Sequence, residues 1–337
     1  MSIRPKVHDS VEETNRLYEQ NVDKLFVDAS YPLDAERVAY WLESVALGGN
    51  EDLTEYANLI AQNLRHIGFR EFYDRLVQCA IEVVEICERE GREIIALAPG
   101  GFHVSNGWVL LLVWPIIRPF VTRVIIETGT FGYSSADQGW AKVSRPTLAV
   151  FCDDASFTGS QASQYVLTLD VQEGFDGTNN FKMCYLIPFI GPTASWRLLR
   201  ILGGNAILLN NSERIPGLFN LLVEKIGRPR AEQLFFSAGR NKAARYWTIG
   251  ECLIYFDHKL PDRTSTAQVV LALAPSYNEQ THEYGFDTLI AGCDISKYTV
   301  HRNNDFIYKL QNTIDTDFDA MGVCPPSHYK NIKYTRE

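Results

Sequence analysis

The chain has no paired cysteines, no long apolar span and no excess of basic charge, and each absence removes a class of protein. Its seven cysteines, Cys79, Cys87, Cys152, Cys184, Cys252, Cys293 and Cys324, stand singly. No C-x-x-C pair occurs, which argues against a zinc ribbon or a disulfide frame. An odd number of scattered cysteines, several inside apolar runs, reads as reduced, buried thiols of a cytoplasmic protein. The opening residues MSIRPKVHDSVEE hold no apolar stretch, which predicts no signal peptide. The most apolar run, from Val109 to Val121, is too short to span a membrane and is interrupted by Pro115, Arg118 and Pro119. It predicts a buried helix. Lysine and arginine number 32 against 41 acids, a net charge of −9. Sequence-independent nucleic-acid binding needs a basic surface, so direct binding of that kind is not expected. A local basic pocket for one phosphorylated ligand is compatible with the same net charge. No G-x-G-x-x-G follows a strand, and neither a P-loop nor a G-x-S-x-G occurs, which argues against a dinucleotide-binding dehydrogenase.

The 337 residues are 46% hydrophobic and 22% charged, an ordinary globular composition, and long enough for two domains or one enlarged domain. Residues 1–90 read as helices. Asp34 can cap a helix whose apolar face is Val38, Trp41, Leu42 and Val45. Leu53, Tyr56, Ala57, Ile60 and Leu64 repeat at helical spacing, with Gly68 expected to end that segment. Phe72, Leu76, Ala80, Val83 and Cys87 mark a third helix. From residue 93 the pattern changes to short continuous apolar runs: 93–98, 122–127, 147–152, 182–189, 205–209 and 251–256. Such runs predict strands covered on both faces, as in a parallel sheet. Helix-length segments between them, such as 106–118 and 193–202, complete the α/β pattern. Residues 128–146 and 170–180 are polar and read as long surface loops, which are often functional. The expected organisation is a helical extension or hood over 1–90, an α/β core over 91–274, and a C-terminal extension over 275–337.

One segment carries the chemistry: Thr147-Leu-Ala-Val-Phe-Cys-Asp153-Asp154-Ala-Ser156-Phe157-Thr158-Gly159-Ser160-Gln161. An apolar strand ends in two acids, then a turn of hydroxyls with one glycine, then a helix. Ligands of open α/β sheets bind at the carboxyl ends of strands. A helix start offers free N–H groups and the positive end of its dipole to an anion such as phosphate. Ser156, Thr158 and Ser160 add hydroxyls, and Gly159 lets the backbone approach closely. Two adjacent carboxylates repel a phosphate but suit sugar hydroxyls or a metal. The segment therefore suits a ligand with both a diol and a phosphate.

Over Ala149–Gln161 this segment resembles the phosphoribosyl-pyrophosphate (PRPP) loop of type I phosphoribosyltransferases: four apolar residues, two acids, then Thr-Gly. Gln161 replaces that pattern's final threonine, and Ser156 replaces an apolar residue. The resemblance implies a parallel-sheet phosphoribosyltransferase-like core and a magnesium-dependent transfer that displaces diphosphate from PRPP with a nitrogen nucleophile. It implies that Asp153 and Asp154 hold the ribose hydroxyls, meeting Mg2+ only through PRPP. It implies that Phe157, Thr158, Gly159, Ser160 and Gln161 wrap the 5-phosphate beside Ser156. Pro99-Gly100-Gly101-Phe102-His103-Val104-Ser105-Asn106, after the first strand, matches the family's short diphosphate loop, which implies that Pro99 to His103 receive the diphosphate. Residues 128–146, with Tyr133 and Ser134, lie where the family keeps a mobile loop that covers the site. In some members a carboxylate and basic residues near the sheet end meet magnesium diphosphate or the acceptor, which implies such roles for Asp257 and Lys259. His103 and His258 are acid–base candidates by location alone.

The resemblance spans about residues 90–270. It leaves the acceptor unidentified and allows a homodimer or another protein partner. Gln161 and the helical extension also fit a PRPP- or nucleotide-binding regulator without turnover. The segment Phe256-Asp257-His258-Lys259-Leu260-Pro261-Asp262 is similar to enlarged phosphoribosyltransferase-like proteins of conflict and defence systems, which implies an effector role as a further alternative.

Overall fold

The computed structural model describes residues 35–47, 49–99, 105–127, 146–164, 181–237, 252–256, 277–278 and 283–284. Helices α1 (Ala35–Leu47) and α2 (Glu51–Asn63) come first. The Asn50 side chain caps α2 by accepting the Leu53 N–H at 3.2 Å. A short strand β1 (Arg65–Ile67) leads into α3 (Phe69–Glu90), which Gly91 closes in the left-handed conformation at φ 62°. Gly68 begins α3 rather than ending a helix, because three residues of strand separate the two helices.

The centre of the molecule is a five-stranded parallel sheet. Its strands are β2 (Glu93–Pro99), β3 (Val121–Glu127), β4 (Thr147–Cys152), β6 (Phe181–Leu186) and β8 (Ala206–Leu208), in the order β3-β2-β4-β6-β8. Every ladder is parallel, as the continuous apolar runs predict. Between β2 and β3 lies α4 (Ser105–Ile117), and between β6 and β8 lies α5 (Pro192–Leu202).

Alternate residues of each strand serve opposite faces. Ile94, Ala96, Leu148, Val150, Cys152, Cys184 and Leu186 pack with α3 and α4. Ile95, Leu97, Ala149, Phe151, Met183 and Tyr185 pack with α5 and Ala162. Burial on both faces is why these strands carry no polar alternation. α4 is apolar around its whole circumference because it is enclosed on all sides, with Trp108, Leu111 and Trp114 among its buried residues. The apolar run read as one buried helix is in fact divided: α4 stops at Ile117, a short 3-10 turn carries Pro119, and Val121 begins β3.

Three of the strands continue past a break. β5 (Ala155–Ser156), β7 (Phe189–Ile190) and β9 (Glu213–Arg214) form a second parallel sheet in the order β5-β7-β9. They repeat the order of β4, β6 and β8, so the main sheet splits at its carboxyl edge. The run expected as one strand over 182–189 breaks at Ile187-Pro188, where proline has no N–H to give the ladder.

A second cluster joins α1 and α2 to α6 (Leu218–Ile226) and α7 (Arg228–Ser237) through Val45, Tyr56, Ile60, Leu218, Leu222 and Leu234. Arg230 pairs with Asp52 and Glu55 across it. β10 (Ile254–Phe256) pairs with β1 in a separate parallel ladder, outside the five-stranded sheet. Two short strands, β11 (Tyr277–Asn278) and β12 (Glu283–Tyr284), form an antiparallel pair. No helix among the described residues is long and apolar enough to cross a membrane. The described cysteines, Cys79, Cys87, Cys152, Cys184 and Cys252, are all buried free thiols.

An ion-pair cluster fastens the start of β2 to β6. Glu90 accepts from Lys182 Nζ at 2.8 Å and from Arg92 Nε at 2.7 Å. These two cations, Lys182 first, hold the Glu90 carboxyl at about 2, against an ordinary 4.5. A depressed folded-state value stabilises the fold above the ordinary value and loses that contribution as pH falls toward about 2. Acid titration followed by circular dichroism should therefore show a loss of stability between pH 4.5 and 2 that is smaller in Glu90→Gln. An identical acid profile for both proteins would remove Glu90 from the account.

Candidate functional site

The chain order of the five central strands places the second strand, β3, on one side of the first, β2, and the third, β4, on the other. This is the doubly wound order 2-1-3-4-5, whose switch point lies between the carboxyl ends of the first and third strands. Here those ends are Pro99 of β2 and Asp153 after β4. The two acids and Pro99, the start of the Gly-Gly segment, therefore flank the switch point.

Asp153 and Asp154 occupy the break between β4 and β5. The Asp153 N–H still donates to the Leu186 carbonyl at 3.2 Å. Next, Asp153 Oδ1 accepts the Asp154 N–H at 3.0 Å, and Asp154 Oδ1 accepts the Ala155 N–H at 2.8 Å. Aspartate oxygens thus replace ladder carbonyls, and this local competition bends the strand. Both acids are buried, Asp154 completely. Burying two adjacent carboxylates is costly unless they are hydrogen-bonded, so these backbone donors are needed to keep them there.

The chain then crosses to α5. The Gly191 N–H donates to the Ser156 carbonyl at 2.8 Å, and the Ala194 N–H donates to the Phe157 carbonyl at 3.2 Å. Gly159 has φ 68°, and a Cβ built there would stand 3.1 Å from Ala194 Cα. Glycine satisfies both the left-handed backbone and the close approach. Residues 160–164 are helical. At the start of this helix the Thr158 hydroxyl lies 3.2 Å from Ser160 Oγ and accepts the Ser160 N–H at 3.3 Å. The Ser163 N–H closes the first turn on the Gly159 carbonyl at 2.9 Å.

Gln161 stands where a further hydroxyl was expected from the resemblance, and its amide has a structural partner. Gln161 Nε2 donates to Asn106 Oδ1 at 3.4 Å, while Asn106 Nδ2 donates to the Cys152 carbonyl at 2.8 Å. Asn106 is fully buried in the first turn of α4. It connects the end of β4, the helix after Gly159, and the helix that follows the Gly-Gly segment. Replacing it strands the Cys152 carbonyl, so Asn106→Ala should lower unfolding stability by about 1–3 kcal/mol. Urea denaturation checks this, and an unchanged midpoint would contradict the linking role.

The predicted residues divide cleanly by location. Asp153, Asp154, Ser156, Phe157, Thr158, Gly159, Ser160 and Gln161 form one continuous structure at the switch point. Pro99 ends β2 beside it. Gly100, Gly101, Phe102, His103, Tyr133, Ser134, Asp257, His258 and Lys259 lie outside the described residues, as do both long polar loops apart from Pro146. The strand that leads to Asp257 pairs with β1, and its last residue, Phe256, packs on Phe189 of β7 with ring centroids 5.5 Å apart.

Two residues at the site had no role in the sequence reading. Asn106 had a signal, being an amide set in the otherwise apolar sequence Ser105-Asn106-Gly107-Trp108-Val109-Leu110. Arg197 of α5 had none. Its guanidinium donates to Ser160 Oγ, 37 positions away in the chain.

The fold defines an α/β protein with a parallel, doubly wound sheet and helices on both faces. In comparisons with known proteins, the chain matches no family model, no curated protein and no solved structure.

Proposed function

We propose that the chain is a magnesium-dependent phosphoribosyltransferase that displaces diphosphate from C1 of PRPP with a nitrogen nucleophile. One observation carries the reading. A pair of buried aspartates and a Thr-Gly-Ser helix start are joined by three residues at the switch point of a doubly wound sheet. That arrangement offers acceptors for a sugar diol and donors for a phosphate a few residues apart.

In this reading Asp153 and Asp154 accept hydrogen bonds from the ribose 2- and 3-hydroxyls and set the ring's orientation. Residues Phe157 to Gln161 take the 5-phosphate through backbone N–H groups and the Thr158 and Ser160 hydroxyls. Pro99 to His103 receive the diphosphate, and Tyr133 and Ser134 belong to the segment that covers the site. The transition state has oxocarbenium character, so positioning and electrostatics supply the catalysis. The nearby carboxylate of Asp154 favours positive charge developing at C1.

Among the described residues no group of three or more His, Cys, Asp or Glu side chains is placed to hold a metal. The two adjacent carboxylates at the switch point, Asp153 and Asp154, are of the donor type that suits magnesium, which is commonly held by one or two carboxylates, water and substrate phosphates. When bound, magnesium would neutralise the leaving diphosphate. Asp153 and Asp154 would meet it through the sugar hydroxyls.

Calorimetric titration with PRPP, with and without magnesium, tests the reading. Magnesium-dependent binding supports it, and no binding by the folded protein overturns it. A second reading, a PRPP-binding regulator without turnover, is favoured by the engagement of Gln161 with Asn106, which puts a structural link where the family pattern has a hydroxyl. Binding without diphosphate release, across a panel of nitrogen acceptors, distinguishes it.

A further inference from the structure

We infer that Arg197, on α5, is a direct ligand for the phosphomonoester end of the substrate, supplying the fixed positive charge that the Thr158–Ser160 turn lacks. The inference rests on the PRPP reading and adds to it a residue from a different element.

The guanidinium of Arg197 donates through Nη1 to Ser160 Oγ, and Ser160 Oγ lies 3.2 Å from the Thr158 hydroxyl. One cation and two hydroxyls therefore converge at one helix start. Packing fixes the helix that carries the cation. Ala194, three residues earlier and so on the same helix face, donates its N–H to Phe157 and lies against Gly159. Arg65, Arg92 and Arg230 each pair with a carboxylate. Arg197 pairs with no carboxylate among the described residues, and its one hydrogen bond there is to a neutral hydroxyl. That bond uses one of five N–H donors and leaves a planar fork suited to two phosphate oxygens. Thr193, one turn before Arg197 on the same face, has a buried hydroxyl oxygen with no hydrogen-bond partner among the described residues. In a chain of net charge −9, a local cation is what draws a phosphate to this point.

The probes are PRPP, ribose 5-phosphate and magnesium diphosphate, titrated calorimetrically into the full chain. Arg197→Met keeps the apolar stem and removes the charge. It should weaken PRPP and ribose 5-phosphate alike by about 10- to 100-fold and leave magnesium diphosphate unchanged. Arg197→Lys keeps a charge without the fork, so it should bind between the two, and it serves as the folded variant if the methionine protein does not fold. Wild-type affinity for ribose 5-phosphate in both variants overturns the inference and leaves the PRPP reading standing. An equal loss for ribose 5-phosphate and diphosphate also overturns it, because the effect would not be specific to the phosphomonoester. If the wild-type chain binds neither PRPP nor ribose 5-phosphate, the reading fails and the inference with it.

Discussion

Replacing Asp153 and Asp154 together by asparagine is expected to weaken magnesium-dependent PRPP binding by at least about 100-fold. In the proposed site each carboxylate would offer the sugar a charge-assisted hydrogen bond, worth about 1.5–3 kcal/mol, and a tenfold change in affinity corresponds to about 1.4 kcal/mol. The swap preserves side-chain size. An asparagine Oδ1 can still accept the N–H groups of Asp154 and Ala155, which sit 3.0 and 2.8 Å from the native oxygens. The strand break should therefore persist. Relieving the mutual repulsion of two buried carboxylates should even leave the melting temperature unchanged or raised. Calorimetry and thermal melting together decide the matter: a folded double mutant that binds PRPP as tightly as wild type would end the assignment of these residues to the ribose.

The second large effect falls on the backbone of the same loop. Gly159→Ala should destabilise the protein by about 2–5 kcal/mol. A left-handed backbone costs a non-glycine residue about 1–2 kcal/mol, and overpacking against neighbours costs about 1–3 kcal/mol. At this position φ is 68° and the new Cβ would meet Ala194 Cα at 3.1 Å, a backbone atom that cannot turn aside. Gly191→Ala provides the comparison. Its φ of −73° is ordinary, yet its Cβ would lie 2.9 Å from the Phe157 carbonyl oxygen. It should be destabilising through crowding alone, since both glycines hold the same loop against α5. Denaturant titration of the two variants measures this. A Gly159→Ala protein as stable as wild type would show that the loop and α5 are not held in the close contact described.

The sequence was most legible where one residue pattern had one physical cause. Continuous apolar runs meant strands buried on both faces, and the run Thr147–Cys152 matches β4 residue for residue. The spacing of Phe72, Leu76, Ala80, Val83 and Cys87 meant one buried helix face, and all five are buried in α3. The two acids followed by hydroxyls and a glycine marked a strand end and a helix start from composition alone. Boundaries were less legible where local rules compete. Gly68 looked like a stop but is a start, because glycine accepts the extended backbone at φ −65°, ψ 155° that precedes α3 as readily as a left-handed cap. The run from Val109 to Val121 is apolar on both sides of a helix end, since both α4 and the start of β3 are buried, and the exposed Arg118 and Pro119 mark the boundary between them.

Strand order, and so the neighbours of the two acids, is absent from any local pattern. The sequence by itself determined an α/β chain, its central strands, its buried cysteines and the acid–hydroxyl–glycine segment, because burial and turn chemistry act on residues near in the chain. Only the tertiary structure placed β2 and β4 side by side, split the sheet into β5, β7 and β9, set β10 against β1, and brought Asn106 and Arg197 to the segment. Those contacts join residues 37 and 55 positions apart. They form because helices on both faces of a twisted sheet must bury their apolar sides against it, and that packing, rather than any local preference, decides which side chains meet at its carboxyl edge.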